Sequence, residues 1–265
     1  IRLPGSLNVN SLMLKLTSDH YTKMVCDILS GCKDAKSGEQ VRFGSSFKPG
    51  DELKMTTIVT NLDQRDTNFA HISPLSYLAS SRAEGMDGGL TSDNILASYE
   101  YVENVMGLES NALQQYLPDI SKLDASQEGA NPSELKTAIV SAAFLGLLNS
   151  PDWSNIGEIL DHAANRIKNS GAITATNMGA LPEVTLDDVY YYAIEISQGL
   201  AEIQKSPAII SQLNSISHIT TSQESVCANN QSTDLLCWGY NEYAHLNVED
   251  NSELEQSTLQ QNSEF

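Results

Sequence analysis

Hydrophobic residues follow two different periods along this chain. Up to about residue 70 they alternate with polar residues, as in Leu12, Leu14 and Leu16, which is the period of a half-buried strand. Further short segments of strand composition are separated by glycines and by Pro49. They lie at residues 21–26, 40–43 and 52–59. Several short strands joined by turns predict a small β-sandwich-like module over residues 1–70.

From His71 onward the hydrophobic residues recur every three or four positions, which is the period of an amphipathic helix. Ser73 and Pro74 are typical of a helix N-cap and first turn, and Gly107 and Gly171 are typical of helix ends. The pattern predicts an all-α module over residues 71–215. We expect helices beginning near residues 92, 111, 131, 152, 185 and 207, the first of them with Ile95, Leu96, Tyr99, Val102 and Met106 facing inward.

The last part of the chain changes character again. Cys227 and Cys237 bracket a polar segment of turn composition, which predicts a β-hairpin within residues 216–248. Residues 249–265 are rich in Ser, Gln, Asn and Glu, which predicts an acidic flexible tail. The predicted fold class is therefore α+β: a β-sandwich-like module, a helical module and a disulfide β-hairpin.

The charge balance narrows the class of partner. The 265 residues include 15 Lys and Arg against 34 Asp and Glu, a net charge of −19. Binding to nucleic acid or to an anionic membrane surface needs a basic footprint, so we expect neither. The longest apolar run, residues 138–148, is too short to span a bilayer. We therefore expect no membrane-spanning segment.

The four cysteines form two local pairs, Cys26 with Cys32 and Cys227 with Cys237. Pairs so close in sequence are typical of small-loop disulfides in exported proteins; the alternative is four reduced thiols of a cytosolic protein. The spacings do not match those of a structural zinc site. We expect two disulfides and a periplasmic, cell-surface or extracellular location. Residues 1–5 do not resemble a signal peptide, so any export signal is removed or lies outside this sequence.

The sequence contains no assembled catalytic pattern. Neither HExxH nor GxSxG is present. Glu158 and His162, with Asp161 beside them, share one helical face, and we favour a surface ion pair over a metal site. We expect no catalytic residue, no metal and no cofactor. Exposed aromatic residues suggest a binding surface, formed by Tyr190, Tyr191, Trp238, Tyr240 and Tyr243.

The segment from Cys227-Ala228 through Cys237-Trp238-Gly239 to Asn241 resembles the repeat signature of RCC1-like β-propellers. The sequence departs from that signature at 244, 245 and 247. The resemblance covers about 35 residues, less than one blade, and a lone blade cannot form a propeller. It implies either a fragment of a longer propeller-bearing protein or a hairpin that packs on the helices. The alternative is a disulfide hairpin of no particular family.

Residues 71–79, HISPLSYLA, resemble a second pattern, [IV]-[TS]-P-L-[TS]-x-L-A. In bacterial surface lipoproteins this pattern ends an Ig-like, carboxypeptidase-regulatory-like β module and is followed by a helical module. The resemblance implies location and architecture more than activity. Together with the absence of a catalytic pattern, it leads us to expect a non-catalytic surface protein that serves as a scaffold, mediates adhesion, or binds a protein or cell-surface ligand. One alternative is a self-associating subunit of a filament-like surface assembly. The other is a hydrolase or metal-dependent enzyme whose residues meet only in space.

Overall fold

The computed structural model describes residues 11–51, 53–60, 70–122, 131–177, 179, 181–204, 216–221, 225–230 and 235–239, with side chains described up to residue 200. Helices and short antiparallel strand pairs are both present, so the predicted α+β class is confirmed. The strands are β1 Ser11–Thr17, β2 Met24–Val25, β3 Cys32–Lys33, β4 Gln40–Val41, β5 Ser46–Phe47, β6 Lys54–Thr60, β7 Ile216–Thr221, β8 Ser225–Asn230 and β9 Leu235–Gly239. The α-helices are α1 Pro74–Gly85, α2 Ser92–Val105, α3 Pro132–Gly146, α4 Ile156–Ser170 and α5 Leu186–Gln204.

The first six strands are nested inside one another. β1 pairs with β6, β2 with β5 and β3 with β4, all antiparallel. The inner strands are only two residues long because Gly31, Gly38 and Gly44 turn the chain at positive φ. Residues 11–51 and 53–60 therefore form three two-stranded pairs, and two stacked sheets of a sandwich are not found among them.

The helix starts follow local capping chemistry. Ser73 and Ser76 form a reciprocal capping box at α1, with Pro74 in the first turn. The Asn131 side chain caps α3. Thr185 and Asp188 exchange hydrogen bonds at the start of α5. These three predicted starts are confirmed.

Two predicted starts need correction. Helix α4 begins after Asn155 rather than at Asp152, because Ser150 binds Asp152 in a tight turn while the Asn155 side chain accepts from the backbone N of Glu158. The predicted helix at 111–116 is a single 3-10 turn, Ala112–Gln114. The predicted helix at residue 207 lies outside the described residues.

The predicted inward face of α2 contains one error. Leu96 is 54% exposed, whereas Ile95 and Tyr99 are 4% and 3% exposed. Consecutive helical residues differ in direction by about 100°. The face that starts at Ile95 therefore continues through Tyr99 and Val102 and leaves Leu96 outside.

The β region and the helices share one apolar core. Strand β6 lies against α1, where the Ser76 hydroxyl donates to the carbonyl of Thr56 at 3.1 Å. The buried Tyr99 hydroxyl accepts from the backbone N of Ile58 at 2.7 Å. These bonds satisfy backbone groups that the two-stranded pair leaves open. The division of the chain at residue 70 remains a sequence-based prediction.

The C-terminal strands form an antiparallel meander, β7-β8-β9. Cys227 lies directly opposite Cys237 in the register of β8 and β9. Opposed Cα atoms in such a pair lie about 4.5–5.5 Å apart, which falls within the range that a disulfide bridges. The second disulfide remains a prediction, supported by this register.

Candidate functional site at the disulfide loop

Cys26 and Cys32 form a disulfide, with Cα atoms 5.6 Å apart. This predicted bond is confirmed. Both sulfur-bearing residues are fully buried, at 0% exposure. Residues 26–32, which we call the disulfide loop, link β2 to β3.

The loop is shaped by its own sequence. The backbone N of Gly31 donates to the carbonyl of Ile28 at 3.1 Å, which closes a turn inside the ring. Gly31 has a φ of 91°, and a Cβ at this position would lie 2.8 Å from the carbonyl oxygen of Val41. Only glycine combines this conformation with this space. The backbone N of Cys26 donates to the carbonyl of Ser45 and anchors the other side of the loop.

The disulfide loop docks on the helical part of the molecule. Ile28 is fully buried. Leu29 lies on Gly199 of α5 so closely that an added Cβ on Gly199 would lie 1.8 Å from Leu29 Cδ1. The Asn149 side chain donates to the Ser30 hydroxyl at 3.0 Å. The loop is thus the element through which the β region meets α5 and the turn that follows α3.

An acidic group lies beside this contact. We call Asp27, Asp119, Ser121 and Lys122 the junction cluster. Asp119 accepts hydrogen bonds from the hydroxyl of Ser121 and from Lys122 Nζ, both at 2.6 Å. A Cβ on Gly44 would lie 3.9 Å from Ser121 Cβ, so the turn that carries these side chains contacts the β region.

The pKa values of the two carboxyl groups in the junction cluster are shifted in opposite directions. Asp27 Oδ1 is buried without a hydrogen-bond partner among the described residues. Burial, together with the charge of Asp119, raises the pKa of Asp27 from 3.8 to about 7. Burial acts upward on Asp119 as well, but the bonds from Lys122 and Ser121 outweigh it and lower the pKa of Asp119. One carboxyl therefore exchanges its proton near neutral pH beside another that stays ionised.

The junction cluster is not predicted by any pattern in the sequence. Its acidic members come from two loops that are distant along the chain, and neither loop has a periodic pattern. The only signal was Asp27 itself, an acidic residue enclosed in a short predicted disulfide ring beside the apolar Ile28 and Leu29.

The two tyrosines of the predicted aromatic surface that lie on α5 differ in burial. Tyr190 is 2% exposed and its hydroxyl donates to the carbonyl of Val105 at 3.4 Å, so the structure places it in the core. Tyr191 is 62% exposed, with its ring edge-on to Tyr192. A step of about 100° per residue separates the two neighbours. Trp238 lies in β9, of which only the backbone is described, and two of the predicted residues lie outside the described range, Tyr240 and Tyr243.

The acidic residues and the histidine that share one face of α4 each contact a different residue. Glu158 accepts from the backbone N of Ser154 at 2.9 Å, and Asp161 accepts from the Tyr77 hydroxyl at 2.9 Å. The ring of His162 packs on Trp153. Among the described side chains, no three His, Cys, Asp or Glu residues come together as metal ligands.

No family model, curated protein or solved structure matches this chain. The resemblances to surface lipoproteins and to RCC1-like repeats therefore remain predictions from the sequence. None of the helices in the described ranges is both long and apolar enough to cross a bilayer.

Proposed function

We propose that this chain is part of an exported bacterial protein, periplasmic or at the cell surface, that acts as a non-catalytic scaffold or ligand-binding unit. The observation that carries the proposal is the fully buried Cys26–Cys32 disulfide, which closes the loop whose Leu29 packs on α5. Structural disulfides of this kind form and persist in oxidising compartments. The short spacing of Cys227 and Cys237, opposed in β8 and β9, supports the same compartment.

Two carboxylates bind backbone N–H groups, which supports a structural role for this chain. The buried Glu103 accepts from the backbone N of Asn111 and Leu113, which organises the turn after α2. Asp34 accepts from three backbone N–H groups in the β region. Carboxylates bound in this way fix loops, and a surface-protein scaffold needs fixed loops to present a ligand-binding face. Adhesion to a protein or cell-surface ligand belongs to the same proposal.

Protease treatment of intact and lysed cells of the source bacterium tests the location. We expect the protein to be cleaved on intact cells, or to be released with the periplasmic fraction, and to carry no thiol that reacts in denaturant before reduction. A protein found only in the cytosol with four reactive thiols would refute the proposal.

A second candidate function is hydrolysis, and the pair Asp27 and Asp119 is the observation that favours it. The pKa of Asp27 is raised and that of Asp119 is lowered, and carboxyls of different ionisation are one requirement of the acid and the nucleophile or base of a glycoside hydrolase. Assays with a panel of chromogenic glycosides, using the Asp27→Asn variant and the exposed Asp51→Asn variant as a matched control, separate the two functions. Turnover that is lost only in Asp27→Asn would favour the enzyme.

A further inference from the structure

Asp27 is a half-buried residue of the disulfide loop, close in sequence to Leu29, which packs on Gly199, and to Ser30, which accepts from Asn149. It lies between the buried Cys26 and Ile28, and its Oδ1 is buried with no hydrogen-bond partner among the residues that the structure describes. The charged groups that face it from the described part of the helical region are Asp119 and Lys122. Lys122 is already paired with Asp119, and its side chain is 76% exposed, so it gives Asp27 only partial compensation.

We infer that the disulfide loop and the junction cluster form a pH-responsive joint, in which ionisation of Asp27 weakens the docking of the loop on the helices. This inference is independent of the proposed function. An ionised carboxylate needs hydration or donors, and the docked loop supplies neither to Oδ1. Moving the loop away from the helices exposes that oxygen to water and removes the penalty.

The direction of the pH effect follows from proton linkage. The docked loop holds Asp27 with a pKa of about 7, and an undocked loop would hold it at the ordinary value of 3.8. Between these two pKa values the docked form binds more protons than the undocked form. Docking is therefore strongest below pH 4, weakens as the pH rises to 7 and changes little above pH 7. The opening constant rises about tenfold per pH unit within this window, or on the order of 50-fold from pH 5 to pH 7.

Hydrogen exchange of the full oxidised chain tests the joint. Exchange is followed from pH 5 to pH 8 by mass spectrometry, with disulfides reduced only in the quench step and rates corrected for intrinsic pH dependence. We expect the opening constant of peptides covering residues 26–33 to rise by at least tenfold between pH 5 and pH 7. Asp27→Asn should abolish this rise, and the exposed Asp51→Asn control should retain it.

Two results would overturn the inference. One is a change of less than tenfold in the wild-type opening constant between pH 5 and pH 7, and the other is a wild-type pH profile in the Asp27→Asn variant. If that variant does not fold, the Asp27 carboxyl carbon of the wild-type chain is titrated by NMR. A midpoint near neutral pH that coincides with the loosening of the loop supports the joint, and a midpoint near pH 4 refutes it.

Discussion

Replacement of Gly199 by alanine measures how tightly the disulfide loop sits on α5. The new methyl group would lie 1.8 Å from Leu29 Cδ1 and 3.1 Å from Leu29 Cγ, so Leu29 must move. Alanine is also the better helix former, by about 1 kcal/mol over glycine. The two effects have opposite signs, so the measured stability shows which is larger.

The steric effect should be the larger one. Adding a methyl group to a well-packed contact costs roughly 1–3 kcal/mol. After the helix gain of about 1 kcal/mol is subtracted, we expect Gly199→Ala to lower the free energy of unfolding by about 0–2 kcal/mol. Leu29→Ala removes the atoms that clash. In that background, Gly199→Ala should instead stabilise the protein by about 0.5–1 kcal/mol.

Urea denaturation of the parent, the two single variants and the double variant gives this cycle. The exposed Gln198→Ala, on the same helix, is the control and should change stability by no more than about 0.5 kcal/mol. A stabilising Gly199→Ala in the parent background, or the same effect with and without Leu29, would refute the docking described for the loop.

Three further changes test the core and the disulfide. Tyr99→Phe leaves the buried N–H of Ile58 without its acceptor and should cost about 1–3 kcal/mol in urea denaturation; an unchanged midpoint would contradict the bond. Leu78→Ala truncates a fully buried side chain and should cost about 2–5 kcal/mol, seen as a lower Tm; a Tm within error of the parent would place Leu78 outside the core. Replacing Cys26 and Cys32 by alanine removes a closed loop of separation 6 and should cost about 2 kcal/mol in the same denaturation assay. Alkylation of the parent in denaturant without reductant should find no free thiol, and labelling at these cysteines would disprove the bond.

The helices were predictable wherever a cap is local. Ser73, Asn131 and Thr185 each bind a backbone N–H within three residues, so a short stretch of sequence contains the whole interaction. The predicted helix start at Asp152 is wrong because the Asp152 side chain binds Ser150 instead of capping the helix. The sequence alone does not show that Asn155 is the better N-cap.

The arrangement of the strands and the junction cluster were not predictable in the same way. Alternation at Leu12, Leu14 and Leu16 identifies a strand but not its partner, and the pairing of Ser11 with Thr60 depends on three nested turns. The environment of Asp27 depends on the turn at Asp119, which no local pattern connects to it. Electrostatic sites that form between loops require the fold before they can be recognised.

The burial of the disulfide has a consequence for the order of events during biosynthesis. The six nested strands are complete once residue 60 has been made, whereas the helix that covers Leu29 ends only at Gln204. Both cysteines are fully buried in the folded chain, and the ring that they close carries Leu29, on which α5 packs. We therefore expect an oxidant to reach Cys26 and Cys32 before folding is complete, and a thiol reductant to reach the finished bond only when the fold opens locally.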